Sequence, residues 1–142
     1  MNTADISIAI APDGTLYLLA PDDAEGGVAK MRLSVLKNGS FSTVGGSVIP
    51  VSDGAYDRHS VVKAVIAPDG TPFVAYNDNS DDNNVFCISL DNETKQWSAP
   101  VKVASGAGTS PDVNICFTQT GVGYISYSDK NNKVHLLKFA EQ

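Results

Sequence analysis

The stretch ISIAIAPDGTLYLLAPD, Ile6 to Asp22, returns as VKAVIAPDGTPFVAYND, Val62 to Asp78. A third, more divergent copy, VNICFTQTGVGYISYSD, runs from Val113 to Asp129. The anchoring glycines Gly14, Gly70 and Gly121 are 56 and 51 residues apart, and an Asp follows each by eight positions: Asp22, Asp78 and Asp129. Glycine, aromatic, apolar and acidic positions all stay in phase, which is the signature of a repeated structural unit.

Each unit reads as strands. In Ala11–Thr15 and Ala67–Thr71, APDGT supplies Pro for the first central turn position and Asp for the second. Gly takes the left-handed position of a three-residue hairpin loop. Before the turn, Ile6, Ile8 and Ile10 alternate with Ser7, Ala9 and Ala11, a period of two. After it, Tyr17, Phe73 and Tyr124 lie on one face and Leu18, Val74 and Ile125 on the other, so the second strand is apolar on both sides. A strand buried on both faces sits between two other layers. Third strands are expected at Lys30–Leu36, Val85–Leu90 and Val134–Phe139, and fourth strands opening at Phe41-Ser42 and Trp97-Ser98.

Antiparallel sheets covered on both faces and repeated about every 50 residues predict β-propeller blades around an axis. The expected fold is all-β, with about three four-stranded antiparallel blades, the last lacking its outer strand. Blade 1 covers about 5–60, blade 2 about 61–111 and partial blade 3 about 112–142. That is half of a six-bladed propeller. A homodimer closing a six-bladed ring, or the remainder of a longer chain, would complete it.

The composition agrees with a folded domain. The 142 residues are 42% hydrophobic and 18% charged, which excludes a disordered chain. A net charge of −6 argues against a nucleic-acid partner. No apolar run reaches the length of a membrane span, so no membrane insertion is expected. The N-terminus carries no charged region followed by an apolar one, so no signal peptide is read in this chain.

The succession of apolar strand, PDG turn, aromatic–apolar–Tyr–x–Asp, acidic loop, apolar strand and Trp-Ser resembles repeats of bacterial secreted and cell-surface β-propellers, broadly of sialidase and lectin-like type. The resemblance covers nearly the whole chain and implies an extracellular or cell-surface parent. It departs from the sialidase Asp-box, whose turn joins outer strands; here the Asp-Gly-Thr turn joins the first two. Sialidases clamp a substrate carboxylate with three arginines, whereas this chain has Arg32 and Arg58, so sialidase chemistry is rejected.

Two loops concentrate functional groups. Val51–Ser60 carries Asp53, Tyr56, Asp57, Arg58 and His59 within seven residues, a set suited to a sugar or peptide site. It joins an outer strand to the next inner one and should emerge on the same face as the loop Asn77–Asn84. That second loop offers Asp78, Asp81 and Asp82, a weak calcium candidate without the glycine and glutamate of an EF-hand. No other cofactor is expected. The repeated Asp22, Asp78 and Asp129 fit a ring of ligand-binding carboxylates less well than strand-end residues that fix turns. His135 reads as structural, Cys87 and Cys116 as buried free thiols, and Trp97 as packed between blades.

The sequence therefore predicts a non-catalytic module recognising carbohydrate or a protein partner through Asp53, Tyr56, Asp57, Arg58, His59 and Asp78. The alternatives are part of a glycoside hydrolase, with Asp53, Asp57 or Asp78 as its carboxylates, and a purely structural assembly segment.

Overall fold

The computed structural model describes residues 6–22, 30–45, 49–50, 61–108 and 112–141. They form eleven strands in three antiparallel sheets. The first sheet runs β1 (Ser7–Ile10), β2 (Leu16–Asp22), β3 (Lys30–Lys37) and β4 (Ser40–Thr43) in spatial order. The second runs β5 (Val62–Ile66), β6 (Pro72–Asp78), β7 (Asn84–Ser89) and β8 (Val101–Ala104). The third contains β9 (Asn114–Phe117), β10 (Val122–Ser128) and β11 (Val134–Glu141). Each sheet is a meander, as a propeller blade requires.

The inner hairpins close as the sequence dictates. Gly14, Gly70 and Gly121 have φ of 85°, 86° and 86°, a region costly for any residue with a Cβ. Asp13 and Asp69 lock their turns, each Oδ1 accepting from the backbone N–H two residues on, of Thr15 at 2.9 Å and Thr71 at 2.8 Å. The β3–β4 hairpin turns on Asn38 and Gly39, both at positive φ, the type I′ pair whose twist suits two strands.

The sheets stack face to face. Leu19, Met31 and Leu33 of the first meet Val62, Val74, Tyr76 and Ile88 of the second in one buried cluster. Ala75, Val85 and Cys87 of the second join Val113, Ile125 and Tyr127 of the third in another. Ala64 N–H crosses the first seam to donate to Ser7 Oγ (3.2 Å), and Phe73 meets Phe117 across the second, ring centroids 4.9 Å apart. Among the described residues, only the middle blade is covered on both sides: β6 is buried along most of its length, whereas β10 alternates buried with half-buried.

Two expectations are corrected. The fourth strand of blade 2 begins at Val101, not at Trp97, which makes a single bridge to Leu90. Pro100 intervenes, and its missing N–H interrupts a ladder. Cys116 is exposed rather than buried, because alternation along β9 turns it to the face of blade 3 opposite blade 2. Cys87 is buried as expected, and burial pushes its thiol up to about 12. Its register partner Ala75 makes it the counterpart of Leu33, which pairs with Leu19.

Candidate functional site

The ends of the sheets define two opposite surfaces. The PDG turns occupy one. The β6–β7 and β10–β11 loops, and both anchored ends of the segment around 51–60, occupy the other. Ile49, 1% exposed, donates its N–H to Met31 O (2.9 Å), fixing the chain after β4 beside the β2–β3 end of blade 1. Val61 N–H donates to Oδ1 of Asn77 (2.7 Å), fixing the chain before β5 beside β6. Asn77 is fully buried, and Asn77 N–H returns a bond to Val61 O at 3.3 Å.

The next connector is anchored the same way. Asp112 N–H donates to Ser128 Oγ (3.2 Å), Gly108 N–H donates to Ser128 O (3.0 Å), and Ala107 bridges Asp129. Ser128 holds in blade 3 the place of Asn77 in blade 2, seven residues past the turn glycine. The sequence reading overlooked both residues; the legible signal was a polar residue immediately before the repeated Asp.

Asp78 lies at this rim, 6% exposed, its Oδ1 accepting from Ser80 N–H (2.9 Å) and Ser80 Oγ (2.6 Å). Asp129 does the same for its own loop: Oδ1 accepts from the N–H groups of Asn131 (2.8 Å) and Lys133 (3.0 Å). Two of the three repeated aspartates thus organise turns, as their position at a strand end implies. Asp81 and Asp82 point outward on the intervening loop, where Asp82 and Asn83 both adopt φ of 52°. Among the described residues, no three His, Cys, Asp or Glu side chains converge to hold a metal ion, and the calcium candidate Asp78, Asp81 and Asp82 is no exception. Asp53, Tyr56, Asp57, Arg58 and His59 lie outside the described residues, as does the side chain of Asp22.

His135 joins this surface through a polar contact. Its Nε2 lies 2.9 Å from Asp129 Oδ2, and its ring stacks on Tyr127 (centroids 4.9 Å, 14°). An ionised carboxylate only accepts, so the imidazole carries a proton on Nε2. In blade 2 the equivalent positions hold Tyr76 and Phe86, stacked at 5.6 Å and 19°.

The His135 contact, then the Lys133 and Asn131 N–H groups, lower the Asp129 carboxyl to about 2 from an ordinary 3.8. A carboxyl depressed by folding stabilises the fold above its unfolded pKa, and the contribution disappears as pH falls through the folded one. Between about pH 4 and pH 2, wild-type melting temperature is therefore expected to fall by an increment missing in Asp129→Asn, which starts lower at neutral pH. Parallel acid profiles for the two proteins would show that this carboxylate does not couple to folding.

Two concavities among the described residues lie on the opposite surface. Ile10, Pro12, Ile66, Pro68, Phe117 and Gln119, equivalent pairs from the three blades, ring a cavity of about 430 Å³ where the PDG turns converge. An open groove of about 440 Å³ lies at the outer end of blade 2, lined by Thr71, Asp91, Asn92, Thr94, Gln96 and Trp97. Trp97 itself packs against blade 1 near Val44, confirming its place between blades.

Repeated four-stranded meanders stacked face to face, with anchored connectors on one rim, define a propeller-type all-β protein. Solved structures agree. The chain superposes on the Penicillium chrysogenum α-L-arabinanase complexed with arabinobiose with a TM-score of 0.62 at 12% identity, covering 96% of this chain and 45% of that one. It matches a Bifidobacterium bifidum s17 protein assigned as an exo-β-1,3-galactanase (TM-score 0.58, 13% identity), covering 99% of this chain and 49% of that one. It also matches a Kordia zhangzhouensis fucose lectin in complex with methyl-fucoside (TM-score 0.55, 10% identity), covering 95% of this chain and 92% of the lectin. This chain thus spans about half the length of the arabinanase and the galactanase. No protein-family model matches the sequence, and no curated protein aligns with it significantly.

Proposed function

We propose that the chain is a non-catalytic carbohydrate-recognition module of an extracellular protein. It grips glycans on the connector rim, through Asp53, Tyr56, Asp57, Arg58 and His59 beside the loop that Asp78 organises. One observation carries the reading: Ile49 and Val61 are both pinned at that rim, so the segment between them starts and ends there. An aromatic ring, carboxylates and a guanidinium are the groups that stack on and hydrogen-bond a sugar. The sugars in the neighbouring proteins, arabinobiose and a methyl-fucoside, support this ligand class.

A glycan array probed with the wild-type chain tests the reading. Tyr56→Ala and Arg58→Ala are each expected to weaken retention of the selected glycan about tenfold or more, since a charged hydrogen bond or a stacking ring contributes about 1.5–3 kcal/mol. Because the sequence reads as a polar loop over Val51–Ser60, both variants are expected to change stability by no more than about 0.5 kcal/mol. Unchanged binding by both variants would move the site elsewhere. Release of reducing sugar from arabinan or β-1,3-galactan would instead establish a hydrolase, with Asp53, Asp57 or Asp78 as its carboxylates.

A further inference from the structure

Seven large apolar side chains stand exposed among the described residues: Ile6 (63%), Ile8 (64%), Ile10 (66%), Phe41 (49%), Val101, Val134 (73%) and Leu136 (68%). Six of them have buried or half-buried counterparts in the other blades. Ile6, Ile8 and Ile10 occupy the places of Val62, Ala64 and Ile66, all of which turn toward blade 1. Val62 is 3% exposed and Ile66 6%. Phe41 pairs with Leu36 as Trp97 pairs with Leu90, and Trp97 packs on blade 1. The open face of blade 1 is thus an inter-blade face, position by position, with no blade against it among the described residues.

The open face of blade 3 is the opposite kind. Val134 pairs with Ser128 and Leu136 with Ser126, as Met31 pairs with Pro21 and Leu33 with Leu19 in blade 1. Met31 and Leu33 are fully buried against blade 2. Val134 and Leu136 therefore belong to a face that covers a following blade. The inner strands complement one another in size as well. Ser7, Ala9 and Ala11 face blade 2, and Asn114, Cys116 and Thr118 hold the same places on blade 3. Small or medium groups thus stand ready for the Ile6, Ile8 and Ile10 row. Val101, the seventh, lies beside the open edge of β11 in a cleft of about 140 Å³ with Val103 and Phe139.

We infer that blade 3 of one copy docks on blade 1 of a second copy, head to tail, so that two chains close a ring of six blades. A second copy is the occupant these two faces favour. The blade-to-blade step already made twice within the chain is the step needed, and this chain carries both halves of it. Two lengths of the chain also equal about one arabinanase or galactanase chain, whereas the fucose lectin chain is about the length of this one. A contact between unlike faces closes when repetition returns to the start. Closure also completes the wall around the Ile10, Ile66 and Phe117 cavity.

The test is solution mass by light scattering, with the variants Ile8→Asp and Leu136→Asp. Both side chains are exposed in the isolated chain, so both variants should fold, as circular dichroism would show. Wild type is expected at about twice 14.9 kDa, and each variant near 14.9 kDa at the same concentration, with the dimer weakened at least tenfold. An equimolar mixture of the two variants should regain a dimer, because one intact blade 3 then meets one intact blade 1. A monomeric or trimeric wild type overturns the inference. So does a Leu136→Asp protein that stays dimeric, which would mean that two blade 1 faces meet each other. Should either variant fail to fold, Ile10→Ser and Val134→Ser carry the same comparison.

Discussion

Tyr76→Ala should unfold at a temperature on the order of 10 °C below wild type, with a loss of about 3–5 kcal/mol in denaturant titration. Tyr76 is 2% exposed and the largest fully buried side chain of the described residues. Its ring stacks on Phe86 within blade 2 and belongs to the cluster with Leu19, Met31 and Leu33 of blade 1. Truncation removes ring area from both layers at once, and two rigid sheets cannot collapse into the void. Tyr76→Phe keeps that area and should cost less than half as much. A loss below about 1 kcal/mol for the alanine variant would mean that blades 1 and 2 do not share this core.

Gly45→Ala should be nearly as damaging, for the opposite reason. Gly45 follows β4 at φ +75, and a Cβ built there would lie 2.5 Å from Trp97 Nε1 and 3.0 Å from Leu90 Cδ1. The left-handed backbone costs about 1–2 kcal/mol for an alanine, and overpacking adds about 1–3 kcal/mol. A total of about 2–5 kcal/mol is expected, with a shifted Trp97 fluorescence maximum. Gly14→Ala is the internal control: its φ is +85, but nothing lies within 4 Å of the added Cβ, so only the backbone part should be lost. A double-mutant cycle with Trp97→Leu should recover most of the clash. If Gly45→Ala costs no more than Gly14→Ala, the indole of blade 2 does not lie against blade 1.

These expectations show which features local sequence determines. The PDG turns and the strand alternation were legible because each depends on a short stretch of chain. The turn glycines, at φ near 85°, and the Asp13 and Asp69 side-chain contacts involve residues at most four apart. The structural role of Asp78 and Asp129 was legible for the same reason.

What depends on neighbouring layers was less accessible. Cys116 alternates in β9 as Ile115 does, and only the stacking order decides which of the two meets blade 2. The isoleucines of β1 look like core in a linear pattern, yet they turn away from the rest of the chain. The delayed start of β8 at Val101 follows from Pro100, a local signal outweighed in the sequence reading by the Trp-Ser match to Phe41-Ser42. The anchors Asn77 and Ser128 act on residues 16 positions earlier, beyond the reach of any turn motif. The candidate site follows the same division. The rim at which its flanking residues Ile49 and Val61 are anchored was legible from strand direction, whereas Asp53, Tyr56, Asp57, Arg58 and His59 themselves lie outside the described residues.

The most direct test of carbohydrate recognition at the connector rim is a heteronuclear NMR titration of the chain with the glycan its array selects. Amide shifts are expected to concentrate at residues 51–60 and at Asn79–Asn83, with the Thr71, Asn92 and Gln96 groove at the other end of blade 2 unmoved. Shifts confined to that groove, or to the PDG turns, would contradict the account, as would an array on which no glycan is retained.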